Sequence, residues 1–231
     1  MRDLRYLKDR EKYLEYAYLA LSDHFASHDD FINYFNKIET DELKNRFLKT
    51  ASFYLFLVKR GDWIIDIPNS ETKVLDYLTI TYKFMAIFSL IESLSEKKNI
   101  DFHEYLVRNK SQVKFPINKK ELDEHYKKYK DEFGSTRSCI AFFTALSPDR
   151  QHDLISKMKV RGNKAAERSI GDLAKDLYQM RSNFVHEVKL VLPICKGTFV
   201  SRLGNKLIVC NLSIEDVMRF FEEGLLIYFR K

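Results

Sequence analysis

Arg181 and His186 are the residues whose types and spacing could do chemistry. They stand five positions apart in the run Leu177-Tyr178-Gln179-Met180-Arg181-Ser182-Asn183-Phe184-Val185-His186-Glu187. A guanidinium offers a planar fork of donors that suits a phosphate or a carboxylate. Histidine exchanges protons near neutral pH, where general acid–base catalysis is efficient. The apolar positions Ile170, Leu173, Leu177, Met180 and Phe184 recur at helical steps, and at about 100° per residue Arg181 lies about 40° from Leu177. An arginine so close to an apolar stripe must bond its guanidinium, because an unpaired buried charge is very costly. Two partners answer that need: a carboxylate, with Glu92 as the candidate, or a bound phosphate. His186 lies about 140° round and about 7.5 Å along an ideal helix from Arg181. Either the helix ends before His186, or the chemistry draws on two subunits. A purely structural role for each residue stands beside these readings.

The elements that must position these residues follow from periodicity. Ser169-Ile170-Gly171-Asp172 has capping-box spacing, with Asp in place of Glu or Gln, and opens a helix over 170–185. From Val188 the period changes to two, in VKLVLPI, then TFVSRL and KLIVCNL around Gly204-Asn205. Gly-Asn between alternating runs predicts a hairpin, at about 198–211. Ser213 to Asp216 repeats the cap and starts a last helix with Val217, Phe220, Phe221, Leu225 and Tyr228 on one face. Upstream, the segment 71–97 is apolar almost all round, as a central buried helix is, and it carries Glu92. Residues 3–24 read as one helix. A second is capped by Asp29 or Asp30 and reaches towards Val58, with a break at Thr40-Asp41. GDWIIDIPNS (61–70) reads as a connector. Shorter helices follow from Asp101, over 119–132 and 135–146, and over 148–159 behind Ser147-Pro148, an N-cap followed by Pro at the first helical position.

Composition agrees with helices. Only 7 Gly and 4 Pro occur in 231 residues, too few for the turn every 8–12 residues or so that a many-stranded sandwich needs. A hydrophobic fraction of 45% with 14% aromatics offers ample apolar surface to offset chain entropy, which excludes wholesale disorder. The expectation is an all-α bundle of seven to nine helices with a small β-hairpin near the C-terminus. Residues 1–70 form a helical appendage or part of the same domain, and 71–231 the main domain. The charged start has no apolar core of a signal peptide. Lys83 and Glu92 interrupt the most apolar stretch, against a membrane span. Cys139, Cys195 and Cys210, odd in number and without CxxC spacing, fit a reducing interior. The expected setting is cytoplasmic, with no membrane, metal or cofactor. His24 and His28, with Asp23, Asp29 and Asp30 nearby, have possible metal spacing but read as a solvated helix end and cap.

The net charge of +6 is unevenly spread. Residues 105–130 are lysine-rich and read as a solvated face. Lys157, Lys159, Arg161, Lys164 and Arg168 meet only Glu167, around the break at Gly162-Asn163. Such clusters attract phosphates by counterion release, and these five are the candidate RNA contacts.

The run Leu177 to Glu187 resembles the Arg-x4-6-His signature of the HEPN superfamily (higher eukaryotes and prokaryotes nucleotide-binding), here as Arg181-x4-His186. The setting, a late motif helix behind an earlier helix with the acidic Glu92, is similar over roughly residues 71–231. The resemblance implies an all-α bundle of the HEPN type that forms a homodimer with two motifs facing one another. It implies a metal-independent ribonuclease of toxin–antitoxin, abortive-infection or other defence type, or a non-catalytic module binding RNA, nucleotide or a partner protein such as an antitoxin. His186 would transfer the proton as the ribose 2′-OH attacks the adjacent phosphate, and Arg181 would hold that phosphate. Ser182 stands where Asn, His or Asp often follows the arginine. Asn183, one position on, is the candidate for that catalytic place, with Ser182 and Glu92 in support. A third reading, an interaction scaffold, leaves Arg181 as a salt-bridge residue only.

Overall fold

The computed structural model describes residues 4–61, 72–95, 100–111, 113, 116–134, 136–161, 168–194, 197–203 and 206–230. The chain is mostly helical with a small antiparallel sheet, and eleven α-helices occur among the described residues. The count exceeds seven to nine because side-chain caps and local breaks divide segments whose apolar period runs on. Residues 3–24 are such a case. They split at Asp9 into α1 (Arg5–Lys8) and α2 (Arg10–Leu21), followed by a 3-10 turn over Ser22–His24. Helix α3 (His28–Asn36) is capped by Ser27, whose hydroxyl accepts from the Asp30 N–H at 3.1 Å. The cap therefore lies before Asp29 and Asp30, and Asp30 is its partner. Thr40 accepts from the Leu43 N–H at 3.2 Å and opens α4 (Asp41–Tyr54), which continues as a π-helical turn over Leu55–Lys59. Gly61 apart, the GDWIIDIPNS connector lies outside the described residues.

Helix α5 (Thr72–Ser93) is buried in its second half, through Phe84, Ile87, Phe88 and Ile91, and more exposed before Thr81. A central buried helix thus describes only half of it. By length and composition, Lys73–Ser93 is the one helix among the described residues apolar enough to cross a membrane, and a third of its most apolar window is packed inside the protein. Helices α6 (Phe102–Arg108) and α7 (Lys119–Phe133) join through rings, with Phe102, Tyr105, Tyr126, Tyr129 and Phe133 in mutual contact. Helix α8 (Thr136–Thr144) packs along the later motif helix and under α5. Ser147 and Pro148 open α9 (Pro148–Lys157) as expected, with the Ser147 side chain accepting from the Arg150 N–H.

Three strands form the sheet, in the order β1 (Met158–Arg161), β3 (Lys206–Cys210), β2 (Phe199–Leu203). The hairpin of β2 and β3 matches the alternating runs, and its Gly204-Asn205 turn lies outside the described residues. Strand β1 is not legible in the sequence, which runs the preceding helix on to 159. Four residues are too few to show a period. What makes it a strand is pairing with β3, where Met158 meets Cys210 with both side chains wholly buried. Residues 188–194 also depart from expectation, for they form no strand. Val191 and Ile194, three positions apart, are the residues buried there, and the Val191 N–H donates to the Thr81 hydroxyl at 3.0 Å.

The motif helix is α10 (Ile170–Glu187), and the last helix is α11 (Ile214–Tyr228), whose capping box joins Ser213 and Asp216. One hydrophobic core runs from Leu14 on α2 through α4, α5, α8 and α10 to Phe229. Residues 4–61 share it, through Phe47 against Phe229 and Tyr54 against Phe221.

Candidate functional site

Helix α10 fixes the motif. Ser169 caps it, accepting from the Asp172 N–H at 3.1 Å. Leu173, Ala174, Leu177 and Tyr178 are buried against α5 and α8, and Met180 packs at the edge of the core. The helix does not stop before His186. It runs through it to Glu187 and ends where Val188 turns left-handed, at φ 55°. The helix runs two residues beyond the expected 185 and stops where strand-like alternation begins. Of the two explanations open for the pair, an early helix end is thus excluded. Arg181 and His186 lie on one continuous helix and, at about 100° per residue, point apart within the chain.

Arg181 has the carboxylate partner its position demanded. Its Nη2 donates to Glu92 Oε2 at 3.0 Å, while the Tyr178 hydroxyl donates to Glu92 Oε1 at 2.6 Å. The guanidinium carbon lies 5.6 Å from the Tyr178 ring centre. Arg181 and Glu92 side chains are 19% and 28% exposed, so the pair sits at the rim rather than in the interior. The Arg181 Nε is buried without a hydrogen-bond partner among the described residues. His186 is exposed at the helix end, Ser182 is half-buried, and the Asn183 Oδ1 accepts from Gln179 Nε2 at 2.7 Å. Phe184 meets Tyr82 edge to face, which ties the far end of the motif to α5. Beneath it the Cys139 thiol donates to the Ala174 carbonyl at 3.4 Å, and burial, then the Glu92 charge, push its pKa far up. A thiol so placed is no nucleophile.

The five basic residues do not form one free patch. Lys157 donates to Asp216 at 2.7 Å, and Arg168 is ion-paired with Asp176. Lys159 is exposed on β1, Arg161 ends that strand, and Lys164 lies outside the described residues. No group of three or more His, Cys, Asp or Glu suited to a metal ion occurs among the described residues.

A second polar cluster surrounds Glu222 on α11, and the sequence reading passes over it. Its Oε1 accepts from the Tyr54 hydroxyl at 2.6 Å and lies 3.4 Å from Lys59 Nζ, and its Oε2 is 2.8 Å from His24 Nε2. Lys59 also donates to the Ala20 carbonyl at 2.8 Å and to Asp23 at 2.9 Å. The hydrogen bond and charge of Lys59 hold the Asp23 carboxyl below the usual range. Burial first, then the Glu222 charge, drive the Tyr54 hydroxyl far up, so it stays a neutral donor. His24 is therefore not a solvated helix end but a partner of a buried carboxylate. The available signal was Glu222 itself, a carboxylate beside Phe221 and Leu225 on an apolar face, which raises the same question as Glu92.

The chain matches no protein-family model, no curated protein and no solved structure.

Proposed function

We propose that the chain is a HEPN-like, metal-independent ribonuclease acting as a homodimer. The single observation that carries the reading is the mounting of Arg181 and His186 on one uninterrupted, well-seated helix. Glu92 and Tyr178 fix the angle of the guanidinium at the rim, and the helix end presents His186 to solvent. Because the two diverge within a protomer, a two-fold pairing that repeats each residue across the axis is the arrangement able to bring a phosphate-holding arginine and a proton-transferring histidine into one cleft. There Arg181 would bind the scissile phosphate, and His186 would take the proton of the ribose 2′-OH as that oxygen attacks phosphorus. The 5′-oxygen departs and is protonated, leaving a cyclic phosphate. Asn183 and Ser182 flank this path. Exposed Lys159 is a candidate RNA contact, with Arg161 and Lys164 in the adjoining segment.

One observation favours a second reading. Arg181 is already satisfied on one edge by Glu92, which suits a non-catalytic module that binds RNA, nucleotide or a partner protein such as an antitoxin. The test is incubation of the purified protein with RNA in EDTA beside Arg181→Ala and His186→Ala. The ribonuclease reading expects cleavage with cyclic phosphate ends, reduced at least about 100-fold by His186→Ala, as for loss of a general acid–base group. Equal behaviour of wild type and variants ends it. Salt-sensitive binding without cleavage supports the module instead.

A further inference from the structure

His24, backed by Glu222, stands in the wall of a cavity of about 530 Å3 on the side of the molecule where α3 meets α11. The rings of Phe25, Tyr34 and Phe229 form its apolar part, and His24, Lys37 and Arg230 bring cationic or donor groups to it. Asp30 and Asn33 complete the lining, but the Asp30 carboxylate already accepts from the Ser27 hydroxyl at 2.9 Å. Arg230 is set over the Tyr34 ring, 5.6 Å from its centre, and that ring is anchored by its hydroxyl, which donates to the Leu226 carbonyl at 2.7 Å. Aromatic walls beside two cations and a histidine are chemistry for a flat ring that carries an acid group.

The buried network behind the wall assigns the histidine's roles. Tyr54 donates to Glu222 and the Lys59 ammonium lies 3.4 Å from it, so the carboxylate remains an acceptor and His24 Nε2 must be the donor in their 2.8 Å contact. No described residue bonds the other ring nitrogen, Nδ1. A histidine that donates through one ring nitrogen donates a second, charge-assisted bond through the other when the ring carries both protons. The groups facing it are Asp23 on its own turn, Tyr54 and Lys59 from α4 and its π-turn, Asp30 and Lys37 from or beside α3, and Glu222 and Arg230 from or beside α11.

We infer that this cavity is a binding site for a small aromatic acid, a flat ring bearing a phosphate or a carboxylate. His24 Nδ1, Lys37 and Arg230 hold the acid group, and Phe25, Tyr34 and Phe229 line the ring. The site is separate from Arg181 and His186. The probes are phenyl phosphate and benzoate, with phenol as the uncharged control. Titration calorimetry near neutral pH reads the affinity. Saturable binding of either acid is expected, and the better of the two identifies the acid group. His24→Gln should weaken binding roughly ten- to hundredfold, the loss of a hydrogen bond to a charged group. Arg230→Ala and Lys37→Ala lie at the exposed rim, so they carry the test if His24→Gln does not fold. Absence of saturable heat with both acids overturns the site. So does phenol binding as tightly as either acid, or unchanged affinity in all three variants.

Discussion

An ion pair at a protein's rim contributes little unless something holds its geometry, and Arg181 with Glu92 has that support. Tyr178 fixes the carboxylate from one side and lies beside the guanidinium. A double-mutant cycle of Arg181→Ala and Glu92→Ala, read by thermal or urea denaturation, should give a coupling of about 1 kcal/mol, above the typical exposed pair. Additive losses would mean that the two residues do not act together. The need for such a pair is readable from residue types alone, since an arginine about 40° from Leu177 must find a partner. Glu92 is the carboxylate that the sequence offers, and the structure joins them. Glu222 shows the limit of that reasoning. Its partners His24, Tyr54 and Lys59 lie more than 160 positions away, and no periodicity within α11 points to them.

Two helix glycines with opposite surroundings give a test at the level of elements. Gly224 lies in α11 where a Cβ would come within 2.4 Å of the Phe142 ring of α8. Alanine there should destabilise the protein by about 1–3 kcal/mol through overpacking, although alanine ordinarily favours a helix. Gly171, in the first turn of α10, would meet nothing nearer than 3.7 Å, and Gly171→Ala should be neutral or stabilise by up to about 1 kcal/mol. The melting temperature of Gly224→Ala should fall while that of Gly171→Ala holds or rises, and a comparable fall in both would refute the contact argument. The start of α11 carries a pH-dependent contribution. Burial pushes the Asp216 carboxyl up, but the Lys157 bond and the Ser213 cap together outweigh it and hold it below its ordinary value. Its stabilisation is therefore present above about pH 4 and is lost as pH falls through the lower folded-state value. Asp216→Asn should cost roughly 1–2 kcal/mol near neutrality, and the gap to wild type should close in acid melts. A gap that stays constant with pH would remove the charge from the explanation. Caps of this kind are local, so Ser147, Ser169 and Ser213 mark helix starts in the sequence. Strand β1 is invisible there because its cause lies some 50 positions away in β3.

Across the whole molecule, the first three long helices and the last one complete a single interior. Phe47 packs on Phe229, Tyr54 on Phe221, and Tyr34 bonds the Leu226 carbonyl. Residues 72–230 expressed without residues 1–61 should therefore lack a cooperative melt and bind hydrophobic dyes. A sharp transition in that fragment would show that the second part folds alone. Helix content is the aspect of the fold most legible in the sequence, because it rests on composition and local period. The joining of the two ends is the least legible, because apolar faces show that they must be covered and not by what. That joining has a consequence for the order of events during synthesis. The faces of α2, α3 and α4 leave the ribosome long before α11 exists. Until residues 214–229 emerge, Phe47, Tyr54 and the Glu222 donors stay without their counterparts, so the nascent chain must spend most of its translation with an unfinished interior that is a natural client for chaperones.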